Sequence, residues 1–214
     1  MAVIGIVGES GSGKTTSLMK LDPATTFYID ADKKGLNWRG WRDQYSKDKL
    51  NYYKTDSPSL ALNILKKINE QDNMKHVKTV IIDTLNGIMV AEEMRNAKTQ
   101  GYGKWTDLAS YIYDIVDYCL ELREDLTAVL IFHSETVTDD EGYRFTRIKT
   151  NGRKLDKIVL ESKLTTVLFA ECLDGRYVFH THSDRNTAKT PIGAFDQDEI
   201  DNDITEVLKA LEDF

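Results

Sequence analysis

Gly8-Glu9-Ser10-Gly11-Ser12-Gly13-Lys14-Thr15 completes the pattern G-x-x-x-x-G-K-[ST]. Ahead of it, Ala2-Val3-Ile4-Gly5-Ile6-Val7 is an apolar run short enough for a buried strand. After it, Thr16-Ser17-Leu18-Met19-Lys20 can start a helix. Strand, glycine-rich loop and helix in that order make an anion cradle. The glycines let the main chain close on a phosphate, and the exposed amides and the helix N-terminus face it. Gly8, Glu9, Ser10, Gly11, Ser12, Gly13, Lys14, Thr15 and Thr16 are therefore the expected nucleotide-binding residues. Lys14 should reach the β- and γ-phosphates and the Thr15 hydroxyl should hold Mg²⁺. ATP and Mg²⁺ are the cofactors this predicts.

The chain of 214 residues suits one α/β domain over 1–214 with a sizeable core. No apolar run is long enough to span a bilayer, so no membrane partner is expected. The N-terminus enters a core strand at once, without a basic leader, which predicts a cytoplasmic protein. Cys119 and Cys172 lack metal-type spacing and read as reduced core residues. The net charge of −7 excludes a protein coated in basic surface. Any nucleic-acid contact must then be a local patch, because affinity there comes from phosphate neutralisation.

Working outward, short apolar runs alternate with amphipathic segments, the mark of a parallel sheet with crossover helices. Strands are predicted at 2–7, 26–30, 78–83 and 126–132. Ser57-Pro58 opens a helix over 58–70, with Leu60, Ile64, Leu65 and Ile68 as its apolar stripe. A second helix covers about 105–123, through Leu108, Ile112, Ile115, Cys119 and Leu122, and a third 85–97. Hairpins are expected at 136–148, turning at Asp139-Asp140-Glu141-Gly142, and at 165–182, turning at Asp174-Gly175.

Thr79-Val80-Ile81-Ile82-Asp83 is a buried strand ending in an acid, and an acid there holds Mg²⁺ through water in P-loop ATPases. The bland reading has Asp83 capping the next helix. Hydrolysis also needs a group that orients or deprotonates water. The residue after Asp83 is Thr84, so that group must come from elsewhere, and Phe27-Tyr28-Ile29-Asp30-Ala31-Asp32 ends in two candidate acids, Asp30 and Asp32. His133 closes the strand Val129-Leu130-Ile131-Phe132 and offers a hydrogen-bond donor at its end. His180 and His182 lack a third metal ligand and read as alternating strand residues.

Taken with Gly8–Thr15, further blocks resemble the RecA-like ATPases encoded by bacteriophages, the group associated with single-strand annealing and recombination. They are Tyr28–Trp38, Ile82–Gly87, Trp105–Ala109, Thr150–Leu155 and Asn186–Phe195. The resemblance spans nearly all of the chain. It implies a RecA-like fold, mainly parallel and flanked by helices, with C-terminal β-hairpins. It also implies an ATP-binding, DNA-stimulated ATPase that binds single-stranded DNA and assembles with itself. Asp32 falls on the family's catalytic Glu, one methylene shorter, and His133 on its amide sensor. Arg185 and Lys189 precede Pro191 in a stretch resembling the segment that sends cations across the RecA subunit interface to a neighbour's ATP. Aligned on Pro191, Arg185 falls on such a position and Lys189 does not. RecA's N-terminal helix and strand have no counterpart ahead of residue 2, so rings or weak oligomers are expected as readily as filaments.

In RecA-like folds a DNA loop follows the sensor strand. Here 147–163 carries Arg147, Lys149, Arg153, Lys154, Lys157 and Lys163 against Asp156 and Glu161, six cations to two acids and so +4. Tyr143 and Phe145 stand just before it, and rings beside cations suit stacked bases on a tracked backbone. The ordinary reading is a solvated hairpin with surface lysines. Thr99–Lys104 is a weaker candidate. Lys33, Lys34, Trp38, Arg39, Trp41 and Arg42 form another basic and aromatic cluster near the expected nucleotide site, a weaker DNA candidate that packing also explains. Two rival functions stay open: a nucleotide-gated loader with little turnover, and a P-loop kinase acting on a small molecule.

Overall fold

The computed structural model describes residues 3–98, 103–151 and 159–214. Among these, nine strands form one mixed sheet with helices on both faces. The strands are β1 (Val3–Gly8), β2 (Thr26–Asp30), β3 (Tyr52–Lys54), β4 (Thr79–Asp83), β5 (Thr127–Thr138), β6 (Arg144–Ile148), β7 (Thr166–Leu173), β8 (Arg176–His180) and β9 (Glu199–Asp201). Their order is β3-β2-β4-β5-β1-β7-β8-β9. Neighbours from β3 through β7 run parallel, and β8 and β9 add on antiparallel. β6 pairs antiparallel with the outer half of β5. The helices are α1 (Trp41–Gln44), α2 (Pro58–Glu70), α3 (Leu85–Arg95), α4 (Gly103–Cys119) and α5 (Ile204–Ala210).

The central strands are apolar throughout because both faces are covered. Val3, Val7, Ile29, Val80, Ile82 and Leu130 point into the core under α2, α3 and α4. Ile4, Ile6, Tyr28, Ile81, Val129 and Ile131 point to the other face, against α5 and the segment around Leu36 and Tyr45. Each fully buried aliphatic chain contributes about 1.5–3 kcal/mol, so the alternation anchors the strand register firmly. The register then fixes the site: Asp30 lies beside Asp83, and Gly8 beside His133.

Several expectations need correction. The segment after the phosphate loop is one 3-10 turn, Thr16–Leu18, rather than a helix. It ends at Leu18, with the Met19 amide donating to the Thr16 carbonyl, and Leu18 and Leu21 share a core with Ile204 and Val207 of α5, where Lys20 pairs with Asp203 at 2.7 Å. α2 has the predicted limits, and the Ser57 hydroxyl caps it, but Leu60 is exposed and Ala61, Leu65 and Ile68 carry its buried face. α4 ends at Cys119, so Leu122 is buried in the loop beyond it. Cys119 is a core residue, whereas Cys172 is exposed on the outer part of β7. β5 runs six residues past the predicted end at 132, because its outer half is a solvated hairpin strand without an apolar run. His182 lies beyond β8 rather than alternating with His180 on it, and His180 pairs with Glu171 at 2.8 Å. Among the described residues, no helix is long and apolar enough to cross a membrane.

Candidate nucleotide-binding site

The site lies at the carboxyl ends of β1, β2, β4 and β5, where ligands bind in open parallel sheets. The loop from Gly8 to Thr15 turns over the end of β1, with Gly13 at φ 93°, a conformation that favours glycine. Its Cβ position also lies 2.8 Å from the Tyr177 ring, so a side chain there would need both a strained backbone and a displaced tyrosine. Lys14 is folded back under the loop, donating to the carbonyls of Gly8 (2.7 Å) and Glu9 (2.5 Å).

Thr15 donates from its hydroxyl to Asp83 Oδ2 at 2.8 Å, and the Tyr28 hydroxyl donates to the same oxygen. Asp83 Oδ1 is buried and has no hydrogen-bond partner among the described residues. Burial raises the Asp83 carboxyl above the usual range, opposed by its bonds to Tyr28 and Thr15. A buried carboxylate oxygen left open beside a threonine hydroxyl suits a hard divalent cation such as Mg²⁺. Burial and the Asp83 charge hold the Tyr28 phenol far above its ordinary value, so it remains a donor. Asp30, in register with Asp83, accepts from the Tyr52 hydroxyl (2.5 Å) and from the Gly35 amide (2.8 Å), which fixes the turn carrying Asp32.

Asp32 follows the end of β2 and faces the start of α3. Its Oδ1 accepts from the Thr84 hydroxyl (3.0 Å) and its Oδ2 pairs with Lys34 (2.7 Å). The Asp83–Thr84 peptide is cis. Thr84, not Asp83, caps α3, its hydroxyl accepting the Gly87 amide at 2.9 Å. A Cβ at Gly87 would come within 2.4 Å of Asp32 Oδ1, so the carboxylate fits only against glycine. His133 donates its backbone amide to Asn86 Oδ1 (2.8 Å), and Asn86 Nδ2 donates to the Lys149 carbonyl (2.8 Å). Burial, reinforced by Lys14, lowers the His133 imidazole below its usual value and keeps it neutral. Sequence reasoning gave Tyr28, Thr84, Asn86 and Gly87 no separate role and put Lys34 only in the basic and aromatic cluster. All five lie inside the quoted blocks 28–38 and 82–87, so position was legible and contact was not.

The fold therefore brings Gly8–Thr16, Asp32, Asp83 and His133 together. Arg185 lines a cleft of about 630 Å³ on the β7 side of the loop, with Glu9, Ser10, Glu171 and His180 of the same chain. Lys189 is elsewhere, its backbone paired with Val167 at 2.8 and 2.9 Å and its side chain bordering a cleft under the β5–β6 hairpin. Tyr143 is exposed at that hairpin's turn and bonds the Asp184 carbonyl. Arg147 pairs with Glu135 at 3.0 Å, and Lys149 is exposed. Lys163 pairs with Asp117, so part of the +4 counted in sequence is neutralised in space. Arg153 and Lys154, and the candidate loop from Thr99 to Tyr102, lie outside the described residues. Among the described residues no cluster of His, Cys, Asp and Glu forms a metal centre of its own.

A parallel sheet, a glycine loop closing on a buried lysine, and a threonine–aspartate pair across β1 and β4 define a P-loop nucleotide-binding protein. A protein-family model described as AAA domain matches residues 1–192, and the chain belongs to that family. Nucleotide binding, with ATPase activity as the coarse expectation, comes with this membership. No curated protein matches the chain.

Burial pulls the Lys14 ammonium down to about 8, with Asp83 opposing the shift. Contact with a triphosphate raises it again, so binding takes up a proton wherever free Lys14 is deprotonated. ATP affinity should therefore be level below that pH and fall above it, by up to about tenfold per pH unit. Titration of a fluorescent ATP analogue on both sides of pH 8 checks this. A flat profile in the wild type would contradict it, and Lys14→Arg should be flat.

Proposed function

We propose that the chain, as a single domain over 1–214, binds ATP with Mg²⁺ and hydrolyses it slowly while acting on single-stranded DNA, in annealing or pairing during phage recombination. The observation that carries the nucleotide part is the Thr15–Asp83 contact of 2.8 Å, with the second Asp83 oxygen buried and open. Thr15 and Asp83 hold the metal, which when bound neutralises charge on the β- and γ-phosphates. Lys14 leaves the Gly8 and Glu9 carbonyls for those phosphates, and the amides of Gly8–Thr16 wrap them. Asp32 orients and deprotonates the attacking water. His133 donates toward the γ-phosphate and, through Asn86, passes its state to Lys149 and the hairpin.

The resemblance supplies DNA, self-association and the phage setting, and the cytoplasmic location comes from the reading of the N-terminus and the cysteines. Tyr143, Arg147, Lys149, Arg153 and Lys154 are the DNA contacts in this reading, and Arg185 and Lys189 reach a neighbouring copy's nucleotide. Arg185 beside its own loop also favours action within one chain. A second reading, a nucleotide-gated loader with little turnover, is favoured by Asp32 having both oxygens engaged, by Thr84 and by Lys34.

Single-turnover ATP hydrolysis with and without oligodeoxythymidylate separates the two. DNA-stimulated turnover that is lost on Arg153→Glu with Lys154→Glu supports the recombination enzyme. Turnover unaffected by DNA and by Asp32→Ala supports the loader.

A further inference from the structure

The segment 33–42 touches the phosphate site through Lys34 and through Asn37, whose amide donates to the Thr16 hydroxyl at 2.9 Å, and the fold builds a cleft around another part of it. The cleft, about 560 Å³, lies at the edge of the sheet between α1 and β3. Lys34, Arg42, Lys47 and Lys54 line it, and no carboxylate does among the described residues, although behind the wall Lys34 pairs with Asp32 and Lys54 lies 4.0 Å from Asp30. Trp41, Tyr45, Tyr52 and Tyr53 make its aromatic walls. Trp41 and Tyr52 pack with ring centres 5.3 Å apart, and the Arg42 guanidinium sits 4.9 Å over Trp41, held in place for an anion. The Tyr52 hydroxyl is engaged by Asp30 and Tyr45 is buried, so these two are fixed walls.

Tyr53 differs. It is 38% exposed, and it also borders a second cleft of about 360 Å³ that contains Lys66 and Lys67 of α2, two cations against the single acid Glu70. Two clefts meeting at one exposed ring, with cations in each, exceed what a mononucleotide needs. They match a run of phosphates with a base stacked between them.

We propose that this edge of the sheet is a track for single-stranded nucleic acid, with Tyr53 as the stacking platform and Arg42, Lys47, Lys54, Lys66 and Lys67 as phosphate contacts. This deepens the DNA-acting reading and rests on it. The track also has a link to turnover. Lys34 lines the cleft while paired to Asp32 at 2.7 Å. A strand that draws Lys34 onto a phosphate frees the Asp32 carboxylate, so strand binding raises ATP turnover.

The test is fluorescence anisotropy with a labelled oligodeoxythymidylate, run beside ATP affinity and ATPase rate. Arg42→Ala with Lys47→Ala should weaken oligonucleotide binding by about tenfold or more. It should also make the slope of log K against log salt shallower by about 1.4, two contacts at about 0.7 each. ATP affinity and basal turnover should stay as in the wild type, and DNA stimulation should be lost. Tyr53→Ala should weaken binding by about tenfold while Tyr53→Phe restores it. The Tyr53 pair keeps the proposal testable if the double variant does not fold. Wild-type binding by both sets of variants, with loss confined to Arg153→Glu, Lys154→Glu, would overturn the track and leave the DNA reading standing. Displacement of the oligonucleotide by an equal concentration of free thymidine monophosphate would overturn it in favour of a mononucleotide pocket. No binding of the oligonucleotide by wild-type protein would remove both readings.

Discussion

Replacing Lys14 with alanine should abolish tight ATP binding. The ammonium is buried, and its partners are the Gly8 and Glu9 carbonyls and, in the bound state, phosphate oxygens. Truncating one partner of a buried, charge-assisted contact costs about 2–5 kcal/mol. The expected loss is therefore about thirtyfold to a few thousandfold in affinity. Calorimetric titration with ATP and Mg²⁺ measures it, and circular dichroism confirms that the variant is folded. Lys14→Arg should keep part of the affinity, because the charge stays while the shape changes. A folded Lys14→Ala protein with wild-type affinity would mean that the phosphates lie elsewhere.

The second large effect is on turnover. Asp32→Asn should lower the single-turnover hydrolysis rate by about 10² to 10⁴, the usual contribution of a positioned general base. ATP affinity should change by less than about threefold, because Asp32 is absent from the phosphate cradle and the amide can still bond Thr84. Gly87→Ala should reproduce much of the loss from behind, since its methyl would sit 2.4 Å from Asp32 Oδ1. Rapid-quench measurement of phosphate release reads both variants. If Asp32→Asn turns over ATP like the wild type, water activation belongs to another group and the loader reading gains.

The interior was legible wherever local chemistry decides conformation. β2 and α2 have the limits that the apolar run 26–30 and the Ser57-Pro58 start require. The hairpin turns at 139–142 and 174–175 fall where their Asp and Gly residues put them. The misses have a common physical cause. The outer half of β5 and the short strands β3 and β9 exist because neighbours pair with them, and their own composition carries no periodic signal. Leu60 fits a helical stripe by spacing but lies outside the arc that α2 buries. The turn after the loop packs against α5, from the far end of the chain, a neighbour that no local pattern reveals.

The site divides the same way. The phosphate loop and the acids at 30, 32 and 83 could be read in one dimension, because a glycine-rich turn after an apolar strand carries its geometry locally. Which acid does what required the third dimension. Register sets Asp83 beside Asp30. The Tyr28 and Tyr52 hydroxyls then tie Asp83 and Asp30 respectively, leaving one Asp83 oxygen open. Thr84 takes the capping role open to Asp83 in the sequence, and Lys34 returns to hold Asp32. These contacts join residues up to 55 positions apart, and no local pattern encodes a distance across a sheet. The amino-acid order alone determined a phosphate-binding loop on a parallel sheet. Only packing decided which carboxylate oxygens are engaged and which is left open, because the neighbouring donors come from distant parts of the chain.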